Sequence, residues 1–84
     1  MTSERMTPEE MREERERLLN KFIGARWKHW RTGTLYFVSE VVFLCDGGET
    51  RPAVVYHEVG ASAGNQIPFC RLVDEFLGRF EVVG

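Results

Sequence analysis

Apolar residues change their spacing along this chain, and each change marks an element. Between Met11 and Ile23 they recur at helical intervals, with Met11, Leu18, Leu19, Phe22 and Ile23 on one side together with Arg15. Thr7-Pro8-Glu9-Glu10 precedes this run: Thr7 suits an N-cap, Pro8 the first helical position, and Glu10 completes a capping box. The pattern predicts a helix from Pro8 to Phe22. Its apolar stripe is continuous only over the second half, so the first half is expected to project into water. Arg12 with Glu16 and Glu13 with Arg17 are four apart, a spacing worth about 0.2–0.5 kcal/mol per pair on a solvated helix.

From Gly24 onward the signals are those of strands. Leu35 to Cys45 and Ala53 to Val59 are rich in β-branched and aromatic residues, and Asp46-Gly47-Gly48-Glu49 between them is a turn sequence, which predicts a hairpin. Gly60 to Asn65 reads as a small-residue loop, followed by a short strand at Gln66 to Phe69 that Pro68 confines to an edge or a strand end. Leu72, Val73, Phe76 and Leu77 have the spacing of a short amphipathic helix over Arg71 to Leu77, stopped by Gly78, and Phe80 to Val83 forms a last strand. The expected fold is α+β: an N-terminal amphipathic helix, then a small, strongly bent antiparallel sheet or small β-barrel, with one short C-terminal helical turn. Two segments follow from the shift in composition, a charged helix over 1–23 and a compact β-rich domain over 24–84.

Length and charge narrow the function classes. Eighty-four residues, 43% of them hydrophobic, supply one small core and no second domain. With 11 Lys and Arg against 13 Asp and Glu, the chain lacks the broad basic surface of a general nucleic-acid binder. The longest apolar stretch, Leu35 to Cys45, is interrupted by Ser39 and Glu40 and falls short of the roughly 20 residues of a membrane span. Two cysteines, Cys45 and Cys70, and no leader of secretory type predict a cytoplasmic protein with reduced, buried thiols.

The candidate chemistry is concentrated in Arg26-Trp27-Lys28-His29-Trp30-Arg31, an alternation of cations and aromatic rings that can stack on a planar group and neutralise an anion. In an extended chain Arg26, Lys28 and Trp30 face one way, and Trp27, His29 and Arg31 the other. One tryptophan then belongs to the core, and the pattern leaves open which. Tyr56 and His57, adjacent on a strand, point to opposite faces, and Arg71 ends a strand. His29, Cys45, His57 and Cys70 have the ligand types of a zinc site but not the close pairing that zinc modules use, so no metal or cofactor is expected. No nucleophile elbow or phosphate-cradling glycine loop is present either, and the chain is not expected to be an enzyme.

The order of these features resembles the DUF1653 domain family, small bacterial and phage-associated domains of no established activity. That family runs aromatic-Arg-His-aromatic-Lys-Gly, then a Tyr, a central Val-Val-Tyr, and Trp-x-Arg-Pro followed by a Phe. Trp27-Lys28-His29-Trp30-Arg31 with Gly33 looks like the first block, Tyr36 like the tyrosine, Val54-Val55-Tyr56 like the centre, and Phe69-Cys70-Arg71-Leu72 with Phe76 like the last. Phe69 and Leu72 stand where the family has Trp and Pro. The resemblance spans about Gly24 to Val83 and implies a compact β-rich domain in which His29, Tyr56 and Arg71 converge.

These readings lead to two expectations. The first is a non-catalytic binding domain whose pocket, lined by Trp27, His29, Arg31, Tyr56 and Arg71, takes a small anionic or nucleotide-like ligand, as would suit a phage or bacterial regulator sequestering a nucleotide signal. The alternative is an adaptor or inhibitor that grips a host or regulatory protein through the N-terminal helix and the basic-aromatic patch. An exposed hairpin edge and a half-amphipathic helix also suit a homodimer.

Overall fold

The computed structural model describes residues 6–84. Its first element is helix α1, Pro8–Phe22, bounded as the sequence predicts. The capping box forms: the Thr7 hydroxyl accepts from the Glu10 backbone N–H at 3.1 Å, and the Glu10 carboxylate accepts from the Thr7 N–H at 2.9 Å. Arg17 pairs with Glu14 at 2.6 Å instead of with Glu13. Residues 1–5 of the expected N-terminal segment lie outside the described residues.

Strands β1 (Arg26–His29), β2 (Leu35–Asp46), β3 (Glu49–Glu58), β4 (Phe69–Leu72) and β5 (Phe80–Val82) form one antiparallel sheet in the order β4-β3-β2-β1-β5. The sheet is open and does not close into a barrel. Its centre is the predicted hairpin. Asp46 pairs with Glu49 across Gly47-Gly48, whose φ values of 59° and 88° are the two positive angles that a tight hairpin turn requires.

The C-terminal third differs from the expected boundaries. The strand expected at Gln66 to Phe69 begins only at Phe69, because Arg71 and Leu72 pair with Val54 and Ala53, and Pro68 precedes the ladder. Those pairings take the first residues of the expected helix, so α2 is shortened to Val73–Leu77. The polar segment Ala63–Asn65 forms a single 3₁₀ turn.

Both helices cover the same face of the sheet. Leu18 and Phe22 from α1 join Val73 and Phe76 from α2, Trp27, Val38, Val41, Val54, Tyr56 and Phe80 in one buried cluster. Its centre is aromatic: the Phe76 and Phe80 rings stack with centroids 4.1 Å apart, while Phe22 and Trp27 meet Phe76 edge-on at 5.6 and 5.4 Å. A register shift between Val38 and Glu40 makes Ser39 an extra residue in β2. Without it Val38 and Val41, three apart, would face opposite ways; with it both reach the core, at 3% and 1% exposure. No helix among the described residues is long and apolar enough to cross a membrane.

Candidate functional site

The five residues expected to line a pocket separate into core, rim and turn. Trp27 is the buried tryptophan, at 4% exposure against 62% for Trp30, and its indole N–H donates to the Phe22 carbonyl at 3.3 Å. Its ring is therefore enclosed by protein and presents no face for a ligand to stack on. Tyr56 is also buried, with its ring among Tyr36, Phe69, Phe76 and Phe80 at centroid distances of 5.2–5.5 Å.

His29 ends β1 half-buried and meets Phe80 edge-on at 4.9 Å. Its Nδ1 accepts the Arg31 backbone N–H at 3.2 Å. The expected strand alternation stops there: Trp30 and Arg31 lie in the turn leading to β2, and Arg31 is exposed. His29 and Arg31 are thus neighbours through the backbone, and His29 connects to Tyr56 through the Phe80 ring that both touch.

Arg71 carries the most informative geometry. It is half-buried on β4, and its Nε donates to the Tyr56 hydroxyl at 3.2 Å. That single bond orients the guanidinium, and among the described residues Arg71 makes no ion pair. A partly desolvated cation without a counter-ion is unfavourable, and an arginine fork of this kind favours a carboxylate or phosphate. Two residues before it on the same strand, and so on the same face, stands Phe69. Its ring stacks on Tyr56 at 5.5 Å, yet the residue remains 41% exposed. Tyr56 therefore touches both parts of the site, holding the cation by its hydroxyl and the exposed ring by its face.

Tyr36 extends this aromatic rim, edge-on to both Tyr56 and Phe80 at 5.4 Å. Burial and, secondarily, the nearby Glu58 carboxylate push its phenol above the ordinary tyrosine range, so it stays a neutral hydrogen-bond donor. Phe69 was not among the residues expected at the site. The signal that finds it is the i, i+2 spacing to Arg71, which is informative only once the strand is placed at Phe69–Leu72.

The opposite face of the sheet holds a second polar pair. Ser39, at the bulge, lies with its hydroxyl 2.9 Å from His57 Nε2 and 3.4 Å from the Val55 carbonyl. His57 Nδ1 is buried with no hydrogen-bond partner. An orphaned acceptor is better tolerated than an orphaned N–H, so the favoured tautomer carries its proton on Nε2 and donates to Ser39. Ser39 then donates to the Val55 carbonyl. The imidazole also stacks on Phe37 at 5.2 Å.

Both cysteines are exposed, contrary to the expectation of buried thiols: Cys45 lies near the hairpin tip and Cys70 on β4. Among the described residues no group of three or more His, Cys, Asp and Glu is arranged to hold a metal ion. A depression of about 330 Å³ at the hairpin tip is lined by Met6 and residues 45–50 and contains neither an aromatic ring nor a cation. Comparison with known proteins finds no matching family model, no matching curated protein and no matching solved structure. The resemblance to DUF1653 domains accordingly rests on the residues quoted for it.

Proposed function

We propose that the protein is a non-catalytic binding domain for a small, planar anion of nucleotide type, held by the Arg71 guanidinium and the exposed ring of Phe69. The observation that carries this reading is the half-buried Arg71, oriented by Tyr56 and without a carboxylate partner among the described residues. An anion would supply the missing counter-charge, and a flat group attached to it would cover Phe69. The two side chains are two residues apart along one strand, about 6.8 Å at the Cα atoms. That spacing suits a ligand whose ring and charge are separated by a sugar-sized linker.

The test is an NMR titration with AMP, GMP and inorganic phosphate, monitored at the amides of residues 69–72. Both nucleotides should shift these amides. Arg71→Ala should abolish the response, and Phe69→Ala should weaken nucleotide binding while leaving any phosphate response unchanged. Equal nucleotide affinity in the wild type and Arg71→Ala would remove the basis of the proposal.

A second reading, recognition of an acidic protein patch, is favoured by one observation: Trp30, at 62% exposure, projects beside the exposed Arg31. Under it Trp30→Ala would abolish partner binding, and Arg71→Ala would leave that binding intact.

A further inference from the structure

The outer face of the sheet, away from both helices, does not have the composition of a solvated surface. When one face of an antiparallel sheet meets water, apolar and polar residues alternate along its strands; strands buried on both faces read as continuous apolar runs. In β2 the sequence Leu35-Tyr36-Phe37-Val38 is continuous on one side of the bulge and Val41-Val42-Phe43-Leu44 on the other. In β3 the run is Ala53-Val54-Val55-Tyr56. Val38, Val41, Val54 and Tyr56 supply the core, so Phe37, Val42, Leu44, Ala53 and Val55 point outward by alternation.

Cross-strand register joins these residues into a strip. Val42 opposes Ala53, which opposes Leu72; Phe37 opposes and stacks on His57; Val55 opposes Cys70. Ala53 has no exposed surface and is not part of the inner core cluster. Neither helix reaches this face, and Leu44 on the strip is 46% exposed.

We infer that this outer face is the contact surface of a homodimer in which a second copy of the chain packs face to face, the strands of the two sheets running in opposite directions. Area and charge both select a second copy. The β2–β3 ladder runs from Tyr36–Glu58 to Asp46–Glu49. At about 3.4 Å per residue and about 4.8 Å per strand, the long strands β2 and β3 with the short β1 and β4 beside them offer on the order of 500 Å² per copy, or roughly 1,000 Å² for the pair, the lower bound of a specific interface.

The ends of the strip carry opposite charge. Asp46 and Glu49 stand at the hairpin tip and outnumber Arg51, which opposes Leu44 just inside it, whereas Arg26 on β1 and Arg31 in the turn between β1 and β2 stand at the other end. None of these makes an ion pair among the described residues, and Lys28 at the same end as Arg26 is already engaged by Glu81 at 3.4 Å. A two-fold axis lying in the interface and across the strands sets each acidic tip over the partner's basic end; an axis along the strands would set tip over tip. The first arrangement satisfies the charges twice, once at each end.

Sedimentation equilibrium of the whole chain across the micromolar range tests the inference. The wild type should dimerise, and added salt should weaken the dimer. Leu44→Lys and Val42→Lys, at outward positions, should weaken association at least tenfold while leaving the circular-dichroism spectrum and melting temperature of the monomer unchanged. Charge reversal then identifies the occupant. The tip variant Asp46→Lys/Glu49→Lys and the base variant Arg26→Glu/Arg31→Glu should each dimerise poorly alone. Mixed, they should form a heterodimer, because each reversed end then meets its complement. A wild type that stays monomeric throughout overturns the second copy as occupant and leaves a different protein as what the strip meets. Undiminished dimers of Leu44→Lys overturn the face, and a mixture that fails to associate overturns the two-fold arrangement.

Discussion

The two faces of the sheet are built from the same strands and differ in what surrounds them. On the inner face the two helices and the sheet bury ten rings and aliphatic side chains so fully that Phe22, Phe76 and Val54 are 0% exposed. On the outer face side chains of similar hydrophobicity remain partly open, and the polar pair Ser39 with His57 includes a nitrogen without a partner. The difference teaches that burial here is decided by element placement as much as by residue type. Phe37 and Val38 are adjacent and both apolar, yet only Val38 has helices above it.

The bulge at Ser39 is what assigns residues to faces, so its removal should have the largest effect. Deleting Ser39 forces either Leu35 to Val38 or Val41 to Asp46 to exchange faces, which withdraws Val38 or Val41 from the core. The expected outcome is a chain without a cooperative thermal transition by circular dichroism. A deletion variant that melts like the wild type would mean the faces are not set by register.

Next in size is a pair of matched truncations. Phe76→Ala removes a ring stacked on Phe80 at 4.1 Å from a fully buried site and should cost about 3–5 kcal/mol in urea unfolding. Phe37→Ala on the outer face should cost the isolated monomer about 1 kcal/mol or less, since that ring is only partly buried. Equal losses would erase the distinction between the faces.

A smaller effect is expected at the start of the covering helix. Thr7→Ala removes the hydroxyl that accepts from the Glu10 N–H, leaves the backbone donation to the Glu10 carboxylate, and should cost about 1 kcal/mol, read from the same unfolding curves.

The smallest effect depends on pH. Arg15 reaches from α1 to the edge of β2, where its Nε donates to the Val41 carbonyl at 3.1 Å and its Nη2 to the Glu40 carboxylate. The Arg15 hydrogen bond, with a second from the Val41 N–H, holds the Glu40 carboxyl below the usual glutamate range. Because the folded-state pKa is the lower one, the stabilisation is present in full above the unfolded pKa and is lost as pH falls through the folded value. Glu40→Gln should therefore be slightly less stable than the wild type near neutral pH, by a small amount because the pair is exposed, and should match it in acid, so that its acid limb is flatter. An unaltered acid limb would remove this contact from the forces that keep α1 over the inner face.

How much of this was legible in advance depended on the range of the signal. The capping box at Thr7-Pro8-Glu9-Glu10 and the Gly47-Gly48 turn act within four residues, and both were readable without any knowledge of the fold. The boundary between β4 and α2 was not, because Leu72, Val73, Phe76 and Leu77 satisfy the helical period whether or not Leu72 is first claimed by Ala53 across the sheet. The candidate site was half legible for the same reason. Arg71 and Tyr56 were identifiable as residues, but their hydrogen bond and the exposed ring of Phe69 beside them depend on β3–β4 register.

By itself, then, the sequence determined the helix over Pro8–Phe22, the β2–β3 hairpin and the α+β class, since propensity, capping and turn geometry are local properties of the chain. Only the tertiary structure decided that Trp27 is buried while Trp30 is exposed, that Cys45 and Cys70 are open, and that Arg71 rests on Tyr56 without a counter-ion. Those outcomes turn on where the helices lie: Trp30 falls in the turn beyond β1, Cys45 lies near the hairpin tip, Cys70 faces the other side of β4, and Arg71 sits on the edge strand. In a sheet one residue of register reverses the side a residue faces, and here the register was set by a single bulge whose effect no local propensity records.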